Sequence, residues 1–149
     1  MHEHEKEIED LVGSIMAAEL LAVLATKAPE YPYTNLVAFA ATEDLKKLLF
    51  VTTRSTRKYL YLISDNRASL LIDNRSNSFI DFRDAVAINA TGRIREVDRE
   101  SYPHLGDIYL HKHPYLQEFF SSPSSALMCM DVGKYIIVRD FQNVVELDM

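Results

Sequence analysis

The sequence predicts a mainly β domain of α+β type, an antiparallel sheet closed into a small barrel with helices at its periphery. Three observations predict it. Seven or eight short strand-like segments alternate with only three or four helical ones. The first three strands follow one another through short links, which suits an antiparallel meander and not parallel crossovers. Closing such a sheet on itself is the cheapest way to remove its edges.

Taken in order, Ile8, Leu11, Val12, Ile15 and Met16 form one stripe at helical spacing, giving an N-terminal helix that runs to about Glu19. Residues 20–26 read as a buried strand, and residues 27–32 turn because two prolines stand in four residues. Strands at 33–41 and 48–53 follow, joined by the polar 42–46 connection. Ser55 is placed to cap a helix over 56–64, with Tyr59, Leu60, Leu62 and Ile63 as its apolar contacts. Residues 68–73 and the alternating 86–97 segment are strands, with a polar loop at 74–78. Residues 98–111 read as helical through Pro103, and 114–120 as a short helix opened by Pro114. Strands at 126–132, 135–139 and 144–147 close the chain.

The 149 residues and 17.1 kDa suit one domain, 1–149. An apolar share of 48% with four Gly and five Pro excludes collagen-like and disordered classes. The longest apolar run, residues 20–25, is far too short to cross a bilayer, and the opening residues are acidic instead of basic. A cytoplasmic protein without membrane contact is expected. The formal charge is −6, but −4 of it lies in the first ten residues, leaving a nearly neutral body without the basic face that nucleic-acid binding needs. The single Cys129 forbids an internal disulfide and a Cys-rich zinc site.

One place breaks this neutrality. Thr52-Thr-Arg-Ser-Thr-Arg-Lys58 leaves a strand and enters a helix with four hydroxyls and three cations in seven residues. A phosphate dianion needs such groups: helix-start N–H donors, hydroxyls and a charge-assisted contact from Arg or Lys. The plain alternative is a solvated first turn, yet cations there oppose the helix macrodipole unless an anion is present. The four glycines form neither a GxGxxG nor a Walker loop, so a mononucleotide would have to be held by side chains and a helix start.

Phe50-Val-Thr-Thr-Arg-Ser-Thr-Arg-Lys58 followed by Asp65-Asn-Arg-Ala-Ser-Leu-Leu71, with Pro32-Tyr-Thr-Asn-Leu-Val-Ala-Phe39 upstream, resembles the pyridoxamine 5'-phosphate oxidase-like, FMN-binding split-barrel family. The resemblance covers residues 20–95. It implies an antiparallel Greek-key split β-barrel and an FMN cofactor. By the same resemblance, Arg57 and Lys58 hold the FMN phosphate, with hydroxyl bonds from Thr56 and Ser55. Thr52, Thr53 and the backbone of Val51 lie along the ribityl chain or ring edge. Asn35, Leu36 and Val37 offer main-chain groups to the pyrimidine side and an apolar wall. Family members are homodimers with flavin at the interface, so the 74–78 loop and Arg139-Asp-Phe-Gln142 are expected to reach the partner's cofactor.

The implied function is a flavin-dependent oxidoreductase acting on a small redox substrate. The alternatives are an F420-binding or haem-degrading split barrel, or a non-catalytic flavin module. Members that oxidise pyridoxamine phosphate close with a Trp-containing strand and an Arg-Leu-Ala-Pro end. This chain has no Trp and ends Val144-Val-Glu-Leu-Asp-Met149, so a different substrate is expected. No catalytic acid or base is assigned. His104 and His111-x-His113 diverge on a helix and lack a complete ligand shell, so no metal is assigned. His2 and His4 read as a frayed end. Cys129, between Met128 and Met130 on an apolar strand, reads as core. Tyr31, Tyr33, Tyr59 and Tyr61 gather near the corner as ring-stacking groups or as half-buried packing. Asp81-Phe-Arg-Asp84 reads as a surface ion pair.

Overall fold

The computed structural model describes residues 2–140 and 142–149. Helix α1 (His2–Ala18) opens the chain, and strands β1 (Leu21–Lys27), β2 (Pro32–Ala41) and β3 (Lys47–Thr53) form the expected meander. Helix α2 (Arg57–Ser64), strand β4 (Arg67–Asp73), the short helix α3 (Asp81–Asp84) and strand β5 (Val86–Val97) follow. Helix α4 (Pro103–Lys112), a 3-10 turn (Pro114–Leu116), helix α5 (Gln117–Ser121) and strands β6 (Ser125–Arg139) and β7 (Asn143–Asp148) complete it.

The strands run β3-β2-β1-β4-β5-β6-β7, and β3 also pairs with β6. Six antiparallel strands therefore close into a barrel, with β7 appended to β6. The step from β3 across to β4 beside β1 is a Greek-key connection. Alternation decides the inside: Ala22, Leu24, Leu70, Ile72, Ile88 and Ala90 point inward and are buried, under α1 residues Ile8, Val12, Ile15 and Met16. A second, smaller core lies between α4 and the barrel wall, where Leu105 and Tyr109 pack on Leu49, Val51, Leu127 and Cys129.

Three segments differ from the sequence reading: Asp81–Asp84, read as loop, is the short helix α3, and two others depart in their bounds. The strands expected at 126–132 and 135–139 are one strand, β6. Gly133 and Lys134 do not break it, because the register against β5 shifts at Thr91/Gly92 and absorbs the extra residue as a bulge. Glycine at 92 is required there, since a Cβ would sit 2.1 Å from the Asp131 carbonyl oxygen. Helix α4 begins at Pro103 and not at 98, because a proline is tolerated in the first turn but not within the helix. Within α4, the Tyr109 hydroxyl donates to the Ala38 carbonyl at 3.3 Å, which fixes α4 against β2.

Candidate functional site

The corner between β3 and α2 is built from its own hydroxyls. Thr56, and not the expected Ser55, is the N-cap: its Oγ1 accepts the Tyr59 N–H at 3.4 Å and donates to the Thr53 carbonyl at 2.9 Å. Thr52 is buried, with its Oγ1 2.8 Å from Thr56 Oγ1, so these two hydroxyls brace the turn from within. Ser55 stays exposed at its tip, and Val51 packs its side chain into the second core while its backbone pairs with Leu127.

The three cations of this corner divide into two kinds. Arg54 is engaged: its Nε and Nη2 donate to the Glu96 carboxylate at 3.3 and 2.9 Å, and its Nη1 donates to the Pro123 carbonyl at 2.8 Å. Tyr59 also donates its hydroxyl to Glu96 at 2.8 Å, and the Arg54 guanidinium holds the Glu96 carboxyl below its ordinary range. Arg54 is thus a brace from the corner to β5. Arg57 and Lys58 are different: among the described residues neither makes an ion pair or a side-chain hydrogen bond. Lys58 is half-buried, and burial pushes its ammonium pKa down. Two cations in the first turn of a helix, one of them partly desolvated and both unpaired, are unfavourable until an anion arrives.

The second wall is β2. It pairs with β1 from Lys27↔Pro32 to Leu21↔Ala38, the whole length of β1, but with β3 only over Phe39–Ala41. Continuing that register places Val37 opposite Thr52 and Leu36 opposite Thr53, where the two strands have split apart. The Phe39 N–H donates to the Leu20 carbonyl, toward β1, so alternation turns the N–H and C=O of Leu36 toward the split. Val37 is buried in the barrel, Leu36 is 63% exposed on its outer face, and Asn35 carries a buried Oδ1 without a hydrogen-bond partner. A lone buried acceptor and an unpaired strand edge on β2, beside a corner that carries two unpaired cations, leave polar groups open to a ligand with an anionic head. Between the β1–β2 turn and α2, Tyr33 and Tyr61 meet edge to face at 5.5 Å and line, with Arg57 and Tyr31, an open cleft of about 450 Å³. All ten residues expected at the flavin lie on β2, β3 or the corner between β3 and α2, but Val37 and Val51 are buried in the two cores, Thr52 is buried, and the Thr56 hydroxyl is taken up by the cap.

Other candidates are placed elsewhere. His113 is buried with Nε2 2.7 Å from the Phe39 carbonyl, whereas His111 is exposed, so the pair diverges. Among the described residues no group of three or more His, Cys, Asp or Glu is arranged to hold a metal ion. Cys129 is buried in the second core, and burial pushes its thiol pKa up. Arg83 and Asp84 form the exposed ion pair at 3.1 Å, while Asp81 orders the 74–78 loop by accepting the N–H groups of Ser76, Asn77 and Ser78. In the C-terminal turn, Phe141 lies outside the described residues. Glu96 was missed by sequence reasoning; a lone acid in the 86–97 alternation carries no signal that its partner is 42 positions away.

No described helix is long and apolar enough to cross a membrane. A six-stranded barrel that is closed on one side of β3 and split on the other defines the chain as a split-barrel protein. The chain belongs to the pyridoxamine 5'-phosphate oxidase family, whose sequence model matches residues 6–138. No curated protein matches it significantly. Among solved structures it is similar to a heme binding protein from Mycobacterium smegmatis, with 14% identity and a TM-score of 0.80 over 91% of this chain. This chain spans only 55% of that protein's length. It is also similar to a FAD-binding protein from Mesorhizobium loti, with 13% identity and a TM-score of 0.71 over 87% of this chain and 90% of that one. A protein related to general stress protein 26, of the pyridoxinephosphate oxidase family, from Clostridium acetobutylicum shares 19% identity at a TM-score of 0.70, over 100% and 96% of the two chains. At these identities the likeness speaks for the fold.

Proposed function

We propose that this protein binds FMN in the split between β2 and β3 and serves as an oxidoreductase on a small molecule. The observation that carries the reading is the pair Arg57 and Lys58, unpaired at the start of α2, on the corner where β3 parts from a strand edge of β2 that β3 does not pair. In this reading Arg57 and Lys58 neutralise the terminal phosphate, assisted by the first N–H groups of α2 and the Ser55 hydroxyl. Thr53 follows the polar chain between phosphate and ring. The Leu36 main chain meets the polar edge of the ring, while Asn35 gains a partner for Oδ1. The bound flavin supplies the hydride and electron chemistry; the chain orients it and tunes its surroundings.

The homodimer belongs to the same proposal. Leu36, Val23 and Leu71 lie side by side across β2, β1 and β4 on the outer face, beside Leu21, which is 52% exposed. A contiguous apolar row on an open sheet face suits burial against a second copy. Denaturing the purified protein and identifying the released chromophore by mass and absorbance tests the cofactor, and separates FMN from FAD, deazaflavin and haem. Light scattering tests the assembly, and a monomer that retains flavin would overturn the shared interface.

A further inference from the structure

A cleft of about 810 Å³ lies at the other end of β2 and β3, between α1, the β2–β3 turn and α4. The corner at Thr53 is a strand length away, about 20 Å. Its walls are mostly apolar: Met16 and Ala17 from α1, Ala40 and Ala41 from β2, Leu45 from the turn and Ile108 from α4. Lys112 lines it as well. Its Nζ donates to the Met16 carbonyl at 2.7 Å and stands 3.9 Å over the centre of the buried Phe39 ring. An ammonium has three donors, so two remain after that bond. No carboxylate among the described residues pairs with it; Asp107 and Glu43, the acids of the cleft, are exposed at its rim.

A second observation is independent of that charge. Gly13 lines the same cleft from the middle of α1, and a Cβ there would meet no atom within 4 Å. Glycine weakens a helix interior relative to alanine, and here no close approach inside the chain requires it. The bare backbone is explained if something outside the chain packs against it.

We propose that this cleft binds an amphipathic organic monoanion, its carboxylate on Lys112 and its apolar body along Gly13, Ala17, Ala41 and Ile108. Burial, opposed in part by the charge of Glu19, pushes the Lys112 ammonium down to about 8, and a bound carboxylate offsets the remaining penalty. The site is separate from the flavin split, so it neither supports nor depends on that reading.

The test is calorimetric titration of the protein as purified, with any cofactor it carries, using octanoate and octan-1-ol. Octanoate is expected to bind saturably, one per chain. Lys112→Met is expected to weaken octanoate at least about tenfold, as the loss of a charge-assisted hydrogen bond, while leaving octan-1-ol unchanged. Gly13→Leu, on the opposite wall, is expected to weaken both about equally by filling the space. Octanoate that fails to saturate by about 10 mM overturns the proposal. So does unchanged octanoate affinity in either folded variant. The flavin absorbance, followed in the same samples, reports on the other site alone.

Discussion

Replacing Arg57 and Lys58 together by alanine has two effects of opposite sign, and their combination separates a phosphate site from a merely basic surface. In the ligand-free protein both cations sit in the first turn of α2 without a partner, and Lys58 is partly desolvated as well. Each opposes the helix dipole by about 0.3–1 kcal/mol, so removing both stabilises the ligand-free fold by about 1–2 kcal/mol. With ligand the sign reverses. Two charge-assisted bonds to a phosphate, about 1.5–3 kcal/mol each, are lost, which weakens FMN by roughly 10²–10⁴-fold. Thermal melts with and without FMN read both quantities. At an FMN concentration of about a hundred times the wild-type Kd, the wild type gains about 2.7 kcal/mol from ligand and the double variant almost none. The variant should therefore melt higher than wild type without FMN and lower with it. A double variant that melts lower in both conditions, or keeps its FMN-induced shift, refutes the argument.

Three further outcomes follow from single positions. Asn35→Leu removes a buried acceptor without a partner, so ligand-free stability should rise by about 1 kcal/mol while flavin affinity falls, read by the same melts and by fluorescence titration. Gly92→Ala forces a methyl against the Asp131 carbonyl and should destabilise the barrel by about 1–3 kcal/mol in urea unfolding, with the flavin spectrum of the folded fraction unchanged. Lys112 has a folded-state pKa of about 8, below its ordinary value of 10.5. The unfolded chain therefore binds more protons at this site between those limits, so the Lys112 contribution to stability grows from pH 8 to 10, while Cys129, Tyr109 and Tyr135, whose burial raises their pKa, oppose it in wild type and variant alike. The stability of wild type relative to Lys112→Met should therefore rise over that range, and a constant difference contradicts the burial of this amine.

The meander, the barrel and the position of the phosphate-like corner were legible in the sequence because each is written locally. Alternation marks β5, prolines mark the β1–β2 turn, and the hydroxyl and basic residues at 52–58 are contiguous. What was illegible depends on distant partners. Arg54 looks like Arg57 and Lys58 in the sequence, and only Glu96 and the Pro123 carbonyl, brought in by β5 and β6, make it a brace. The cap passed from Ser55 to Thr56 because Thr52 lies beneath it and shares its hydroxyl network. Helix α3 was read as loop because four residues carry no periodicity, and its order comes from the Asp81 carboxylate gathering backbone N–H groups. The splitting of β2 from β3 has no sequence mark at all.

The seam that closes the barrel, β3 on β6, joins Lys47 to Asp131 and Thr53 to Ser125. Pairings between residues that far apart in the chain form late and slowly, since a long loop must be closed first. The corner leans on the same seam: the Arg54 N–H donates to the Ser124 carbonyl, and its guanidinium to that of Pro123. A nascent chain on the ribosome that has not yet extruded β6 thus lacks one side of its ligand cradle. If the corner holds its ligand as proposed, a chain truncated before β6 should fail to bind it.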